Sequence, residues 1–255
     1  SDVYKRQSTM RRSSTMTTTT GPKLIGFAKS RAFRCLWMLE EIGIPYQFIH
    51  SLPQSPQVLK YNPLGKVPIF VEEDGFVLYE SGAIVTYLGD KYRDTSSNRD
   101  SDRNLLLVPR AGTKERGLYD QTMSVIQSEL DSQGLWIHRK HEVMGEHFTY
   151  IPDAVTHAKK YFNKTNRVLI QQLKDNNNNN SGSDSDGGGG PYLLGSNFTA
   201  VDIMYVHCLN WSKTIGWDNK WNDDETIKQY MELCMTRSAY QKASSIKDEN
   251  HSSKL

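Results

Sequence analysis

The stretch FAKSRAFRCLWMLEEIG, residues 27–43, sets a serine, two arginines and a cysteine on about four turns of a helical pattern. Ser30 is the only hydroxyl between Leu24 and Glu40, and it stands where that helix begins. A hydroxyl there either caps the first free N–H groups or donates to an anion held beside them. Cys35 lies more than a turn inside, on the face of Ala32, Leu36 and Leu39, which is the place of a buried core thiol. Farther on, Glu80 and Ser81 open a second helical pattern. Ser81 reads as an N-cap and Glu80 as a charge favoured by the helix dipole. The same pair can hold a carboxylate on the hydroxyl and first N–H groups while Glu80 takes an ammonium. Lys66 is either a solvated lysine or a partner for a carboxylate, and Pro68 begins an apolar run as an edge marker does. His138, His141, Glu142 and His147 are close in sequence but form no closing ligand set; a solvated helix face is expected and no metal site.

The elements that must position these residues follow from the pattern. KLIGF reads as a strand and the segment after Ser30 as an amphipathic helix closed by Gly43 and Pro45. YQFIH, residues 46–50, completes a β-α-β unit. SPQVLKYNPLG is helix and turn, VPIFVE and FVLYE form a hairpin about EDG, and SGAIVTYLGDKY is a last helix. Residues 93–112 have the composition of a linker, and beyond them only helical patterns recur. Within these, residues 175–190, DNNNNNSGSDSDGGGG, read as a flexible loop. Thr199 with Asp202 forms an acidic capping box, with Phe198 placed as its hydrophobic staple. The expected fold is α/β plus all-α: a domain over 23–92, and a helical domain over 113–250 with a tail at 251–255.

The formal charge is +2 with both signs interspersed, so no basic footprint for nucleic acid is present. No apolar run approaches the roughly 20 residues of a membrane-spanning helix. Cys35, Cys208 and Cys234 are odd in number and lack metal or disulfide spacing, which fits a reducing compartment. Residues 1–22 are basic and Ser/Thr-rich and are expected to be a disordered leader. Ser253, Lys254 and Leu255 match a peroxisomal import address, so a peroxisomal location through its import receptor is expected, with the cytoplasm as alternative.

Taken in order, SRAFRCLWMLEEIGIPY, NPLGKVPIF, LYESGAIVTYL and FTAVDI resemble the cytosolic glutathione transferase superfamily, most of all yeast-type and bacterial members with a Ser-Arg-Ala first-helix signature. The resemblance implies a thioredoxin-like N-terminal domain, a helical-bundle C-terminal domain and a homodimer. It implies glutathione as co-substrate, a small apolar electrophile as its partner, and no permanently bound cofactor. The matching Val67-Pro68 bond is cis in that family and turns the Val67 backbone toward the cysteinyl unit of glutathione. Glu80 would take the γ-glutamyl ammonium, Ser81 its carboxylate and Lys66 the glycyl carboxylate. Ser30 would donate to the sulfur, although plant and insect members carry their serine earlier, where this chain has Phe27, Ala28 and Lys29. The N–H groups of Arg31 or Ala32 are the alternative donors. Tyr119, Met123 and Trp136 would line the electrophile pocket or belong to the core. The activities implied are conjugation and reduction of organic hydroperoxides. The alternatives are a glutathione-binding regulatory module with little turnover, or a thiol reductase acting through Cys35.

Overall fold

Alternating short apolar runs build the N-terminal sheet: β1 (Lys23–Gly26), β2 (Gln47–His50), β3 (Ile69–Val71) and β4 (Val77–Tyr79). The computed structural model describes residues 21–93, 106–179 and 189–252. Almost all of the leader, most of the linker, the Ser/Gly half of the 175–190 stretch and the Ser253-Lys254-Leu255 terminus lie outside these. The sheet order is β2-β1-β3-β4, with β1 parallel to β2 and antiparallel to β3, and β3 antiparallel to β4. Parallel pairing of β1 and β2 requires a crossover, and α1 (Ala32–Ile42) supplies it. The helix α2 (Pro56–Leu59) begins at Ser55, whose hydroxyl accepts from Val58 N–H, and α3 (Ser81–Lys91) closes the unit. The expected element order and thioredoxin-like sheet are therefore those of the structure.

Two glycines set the path of α1. Gly43 ends it in the left-handed region, φ 76°, with its N–H on the Leu39 carbonyl. At Gly26 a Cβ would lie 2.8 Å from Ala32 Cβ and 3.7 Å from Pro68 Cα, so the missing side chain lets the start of α1 settle against Val67-Pro68.

The expectation of an amphipathic α1 needs correction. Nearly all of it is buried, Arg34 and Glu41 included, because it runs between the sheet and the helical domain. Both charges are paired across that interface. Trp37 Nε1 donates to Glu41 at 2.9 Å, and Arg237 grips the same carboxylate through Nε at 2.6 Å and Nη2 at 2.7 Å.

The helical domain contains α4 (Lys114–Val125), a π-type continuation over Ile126–Leu135, a single α-helical turn α5 (Trp136–His138) and a second π-type segment over Arg139–Val143. Then come α6 (Pro152–Asn179), α7 (Ala200–Thr214), α8 (Glu225–Met235) and α9 (Ser238–Ser252). Two boundaries differ from expectation. α6 continues into the asparagine run that had the composition of a loop, where Asn176 Nδ2 donates to the carbonyls of Tyr192 at 2.9 Å and Leu193 at 3.0 Å. One helical pattern near the C-terminus divides into α8 and α9.

The capping box at α7 is present and extended. Asp202, fully buried, accepts from Thr199 N–H at 2.8 Å, Thr199 Oγ1 at 3.0 Å, Leu193 N–H at 3.0 Å and Tyr230 OH at 2.9 Å. Phe198 is buried between the Trp37 and Tyr192 rings, with the Arg237 guanidinium 3.9 Å from its centroid.

Candidate functional site

Three chain segments converge at the β1/β3 end of the sheet: the turn before α1, the loop ending in Val67-Pro68, and the start of α3. The loop is shaped by Asn62, which is buried; its Nδ2 donates to the Lys66 carbonyl at 3.0 Å and its Oδ1 accepts from Leu64 N–H at 3.0 Å. This leaves the Lys66 side chain exposed and delivers the chain into a cis Val67-Pro68 bond. Among the described residues, neither the N–H nor the C=O of Val67 takes part in a backbone hydrogen bond.

Glu80 precedes α3 at φ 73°, ψ 115°, a region that side-chain-bearing residues rarely occupy. It is exposed and makes no side-chain capping bond. The strained backbone directs the chain so that Ser81 turns inward, where it is 4 % exposed. Ile84 N–H reaches back to the Glu80 carbonyl at 3.0 Å, so the N–H groups of Ser81, Gly82 and Ala83 stand ahead of the helical ladder.

Ser30 sits in the turn before α1 and not on the helix itself, whose N-cap is Arg31. Its hydroxyl donates to the Phe27 carbonyl and accepts from Ala32 N–H at 3.2 Å. The hydroxyl thus has the capping position expected of it, while Arg31 N–H has no backbone partner among the described residues.

Cys35 is fully buried, and burial pushes its thiol far above the usual range, as expected of a core residue. Tyr119 is equally buried, its hydroxyl 2.8 Å from Thr86 Oγ1, and Met123 is in the core; neither opens toward a ligand. Trp136 is half-buried and carries the Arg31 guanidinium 5.2 Å from its ring centroid, with Trp211 on the other side at 5.1 Å. The histidine segment is also not a solvated face throughout: His138 is buried edge-on to Trp217 at 5.2 Å, while His141 Nδ1 lies 2.7 Å from the Thr149 carbonyl.

Sequence reasoning missed the groups that support these segments from behind. Arg34 is 1 % exposed and donates from Nε to His207 Nδ1 at 3.1 Å, from Nη1 to Ser81 Oγ at 3.1 Å and from Nη2 to Cys208 Sγ at 3.5 Å. Nη2 also pairs with Asp131 Oδ2 at 2.7 Å. Arg31 Nε donates to the same oxygen at 2.8 Å, and its Nη2 contacts Oδ1. Burial pushes the Asp131 carboxyl up, but Arg34 and Arg31 outweigh it and hold the group well below the ordinary carboxylate range. Burial and Arg34 keep the His207 imidazole neutral, and the Ser30 backbone is hydrogen-bonded to it. A Cβ at Gly82 would lie 2.2 Å from Gln127 Oε1, so Gln127 backs onto the first turn of α3. Gln127 and Asp131 are both carried by the π-type segment, a helix irregularity often found at functional sites. The available signal was Arg34 itself, a charge interrupting an otherwise apolar helix.

Comparison with known proteins agrees with this architecture. Residues 24–96 match the family model for the glutathione S-transferase N-terminal domain. Glutathione S-transferase hmp2 of Hypomyces subiculosus is 25% identical over 233 residues, covering 87% of this chain and 96% of that one. Elongation factor 1-gamma-A of Xenopus laevis is 40% identical over 75 residues, covering 26% of this chain and 17% of that protein. Among solved structures, Ure2p in complex with glutathione superposes with a TM-score of 0.72 at 19% identity, over 88% of this chain and 98% of that one. The sheet, the helical domain and these matches together show that the chain belongs to the cytosolic glutathione transferase superfamily.

Proposed function

We propose that the protein is a glutathione transferase. Glutathione binds along the convergence of the three segments, its thiol is held as thiolate at the start of α1, and the thiolate adds to an apolar electrophile or reduces an organic hydroperoxide. The observation that carries this reading is the convergence itself: an unpaired Val67 peptide, an exposed Glu80 and the free N–H groups of α3 meet the turn bearing Ser30. A peptide with two carboxylates, an ammonium and a thiol needs that set of partners.

Each residue then has a distinct task. Val67 pairs with the cysteinyl backbone, Glu80 with the ammonium, Ser81 and the α3 N–H groups with the γ-glutamyl carboxylate, and Lys66 with the glycyl carboxylate. A free thiol has a pKa of about 8.5, and lowering it by about 2 units takes ~2.7 kcal/mol of differential stabilisation. A helix N-terminus with one hydroxyl donor supplies that order of magnitude. For this the Ser30 hydroxyl exchanges the Phe27 carbonyl for the sulfur. The proposal includes a homodimer and, through Ser253, Lys254 and Leu255, delivery to peroxisomes. A thiol reductase acting through Cys35 is disfavoured by its complete burial.

Turnover with a generic aryl halide tests this. Ser30→Ala is expected to reduce kcat/KM by about tenfold to hundredfold, the worth of one hydrogen bond to a charged group. Unchanged turnover would transfer the role to the backbone N–H groups, and no turnover by the wild-type protein would remove the enzyme reading. Glu80→Gly separates binding from stability. Glycine relieves the positive φ, so urea unfolding should show no loss and a gain of up to ~1 kcal/mol, while glutathione affinity falls at least about tenfold. A parallel fall in both quantities would mean that Glu80 is structural.

A further inference from the structure

A hydroxyl that is to hold a ligand carboxylate must have its proton free, and a serine next to a helix N-terminus usually has several ways to spend it. At Ser81 the choice is made by Arg34. A guanidinium has five N–H donors and no acceptor, so the 3.1 Å contact between Arg34 Nη1 and Ser81 Oγ has one polarity only: Arg34 donates and Ser81 accepts. Among the described residues, no side chain or carbonyl accepts from Ser81 Oγ. The Ser81 proton is therefore left to the side of the oxygen away from Arg34.

Arg34 has no freedom to release this contact. Asp131 at 2.7 Å, His207 Nδ1 at 3.1 Å and Cys208 Sγ at 3.5 Å take its remaining directions, and all three come from the helical domain. The planar fork is what allows one side chain to meet all of them; a lysine ammonium, a point charge, cannot. We propose that Arg34 is a positioning residue for the γ-glutamyl carboxylate: by occupying the Ser81 lone pair it aims the Ser81 proton at the ligand, and Asp131 of the helical domain fixes it in that role. The inference rests on the glutathione reading of the site. It gives the second domain a part in building a binding site that belongs by sequence to the first.

The test is calorimetry on the full chain with two probes, glutathione and 4-aminobutyryl-cysteinyl-glycine, which lacks only the γ-glutamyl α-carboxylate. Ser81→Ala, Arg34→Lys and the double variant are compared with wild type. Each single variant should weaken glutathione about tenfold, the double variant no further, and all four proteins should bind the analogue within about twofold of one another. Additive losses, or an equal loss with the analogue, would overturn the proposal, because a merely structural arginine predicts those results. Ser81→Ala leaves the arginine cluster in place and carries a decisive result alone if Arg34→Lys does not fold: wild-type affinity for both probes would overturn the donor role. A wild-type protein that binds neither probe would instead refute the glutathione reading.

Discussion

Asp131→Ala will cost about 3–5 kcal/mol of folding stability, measured by urea unfolding at neutral pH, because it strands two guanidinium groups that this carboxylate alone neutralises. Asp131 is 5% exposed and Arg34 1%, so water cannot take over the lost contacts. A loss below about 1 kcal/mol, the range of an exposed ion pair, would contradict the buried cluster. The pH dependence has a definite sign. The Arg34 and Arg31 charges, working against burial, depress the carboxyl in the folded protein. Its contribution is therefore fully present above the unfolded carboxyl pKa of about 4 and is lost as pH falls from there toward the folded value. Asp131→Asn should be weaker than wild type at pH 7 and have a flatter decline below about pH 4. An acid limb as steep as wild type would assign that decline to other carboxylates.

Asp202→Ala is the second large effect. The carboxylate accepts from four donors: the backbone N–H of Leu193 and Thr199, and the hydroxyls of Thr199 and Tyr230. All lie where solvent does not reach, and each unmade bond to a buried donor costs about 1–3 kcal/mol before relaxation. A net loss of about 4 kcal/mol is expected, large against the 5–15 kcal/mol of a whole domain. Thr199→Ala removes only one of those donors and should cost about 1 kcal/mol. Equal losses in the two variants would show that the capping contact alone matters and that the ties to Leu193 and Tyr230 carry no weight.

What was legible from residue order was whatever local chemistry dictates. The strand and helix succession up to α3, the staple and capping box at Phe198, Thr199 and Asp202, and the core placement of Cys35 each depend on neighbours close along the chain. Arg34 illustrates the other kind of information. Its partners Asp131, His207 and Cys208 lie far along the chain, and nothing in the spacing around Arg34 specifies them. The same limit applies to α1 as a whole. Periodicity assigned it one buried face, and it has two because the helical domain covers the other. Asn176 shows composition misleading locally: an asparagine run reads as loop, yet its amide nitrogen finds carbonyls at Tyr192 and Leu193 that hold it in a helix. Glu80 was singled out for its charge, whereas its left-handed backbone is visible only in three dimensions.

The central claim is that this fold binds glutathione and stabilises its thiolate, and it is tested most directly by following the ultraviolet absorbance of the bound thiolate as pH is raised. An apparent pKa about 2 units below the free value of about 8.5 is expected. A thiol that titrates with its free value when bound, or glutathione that does not bind at all, would contradict it.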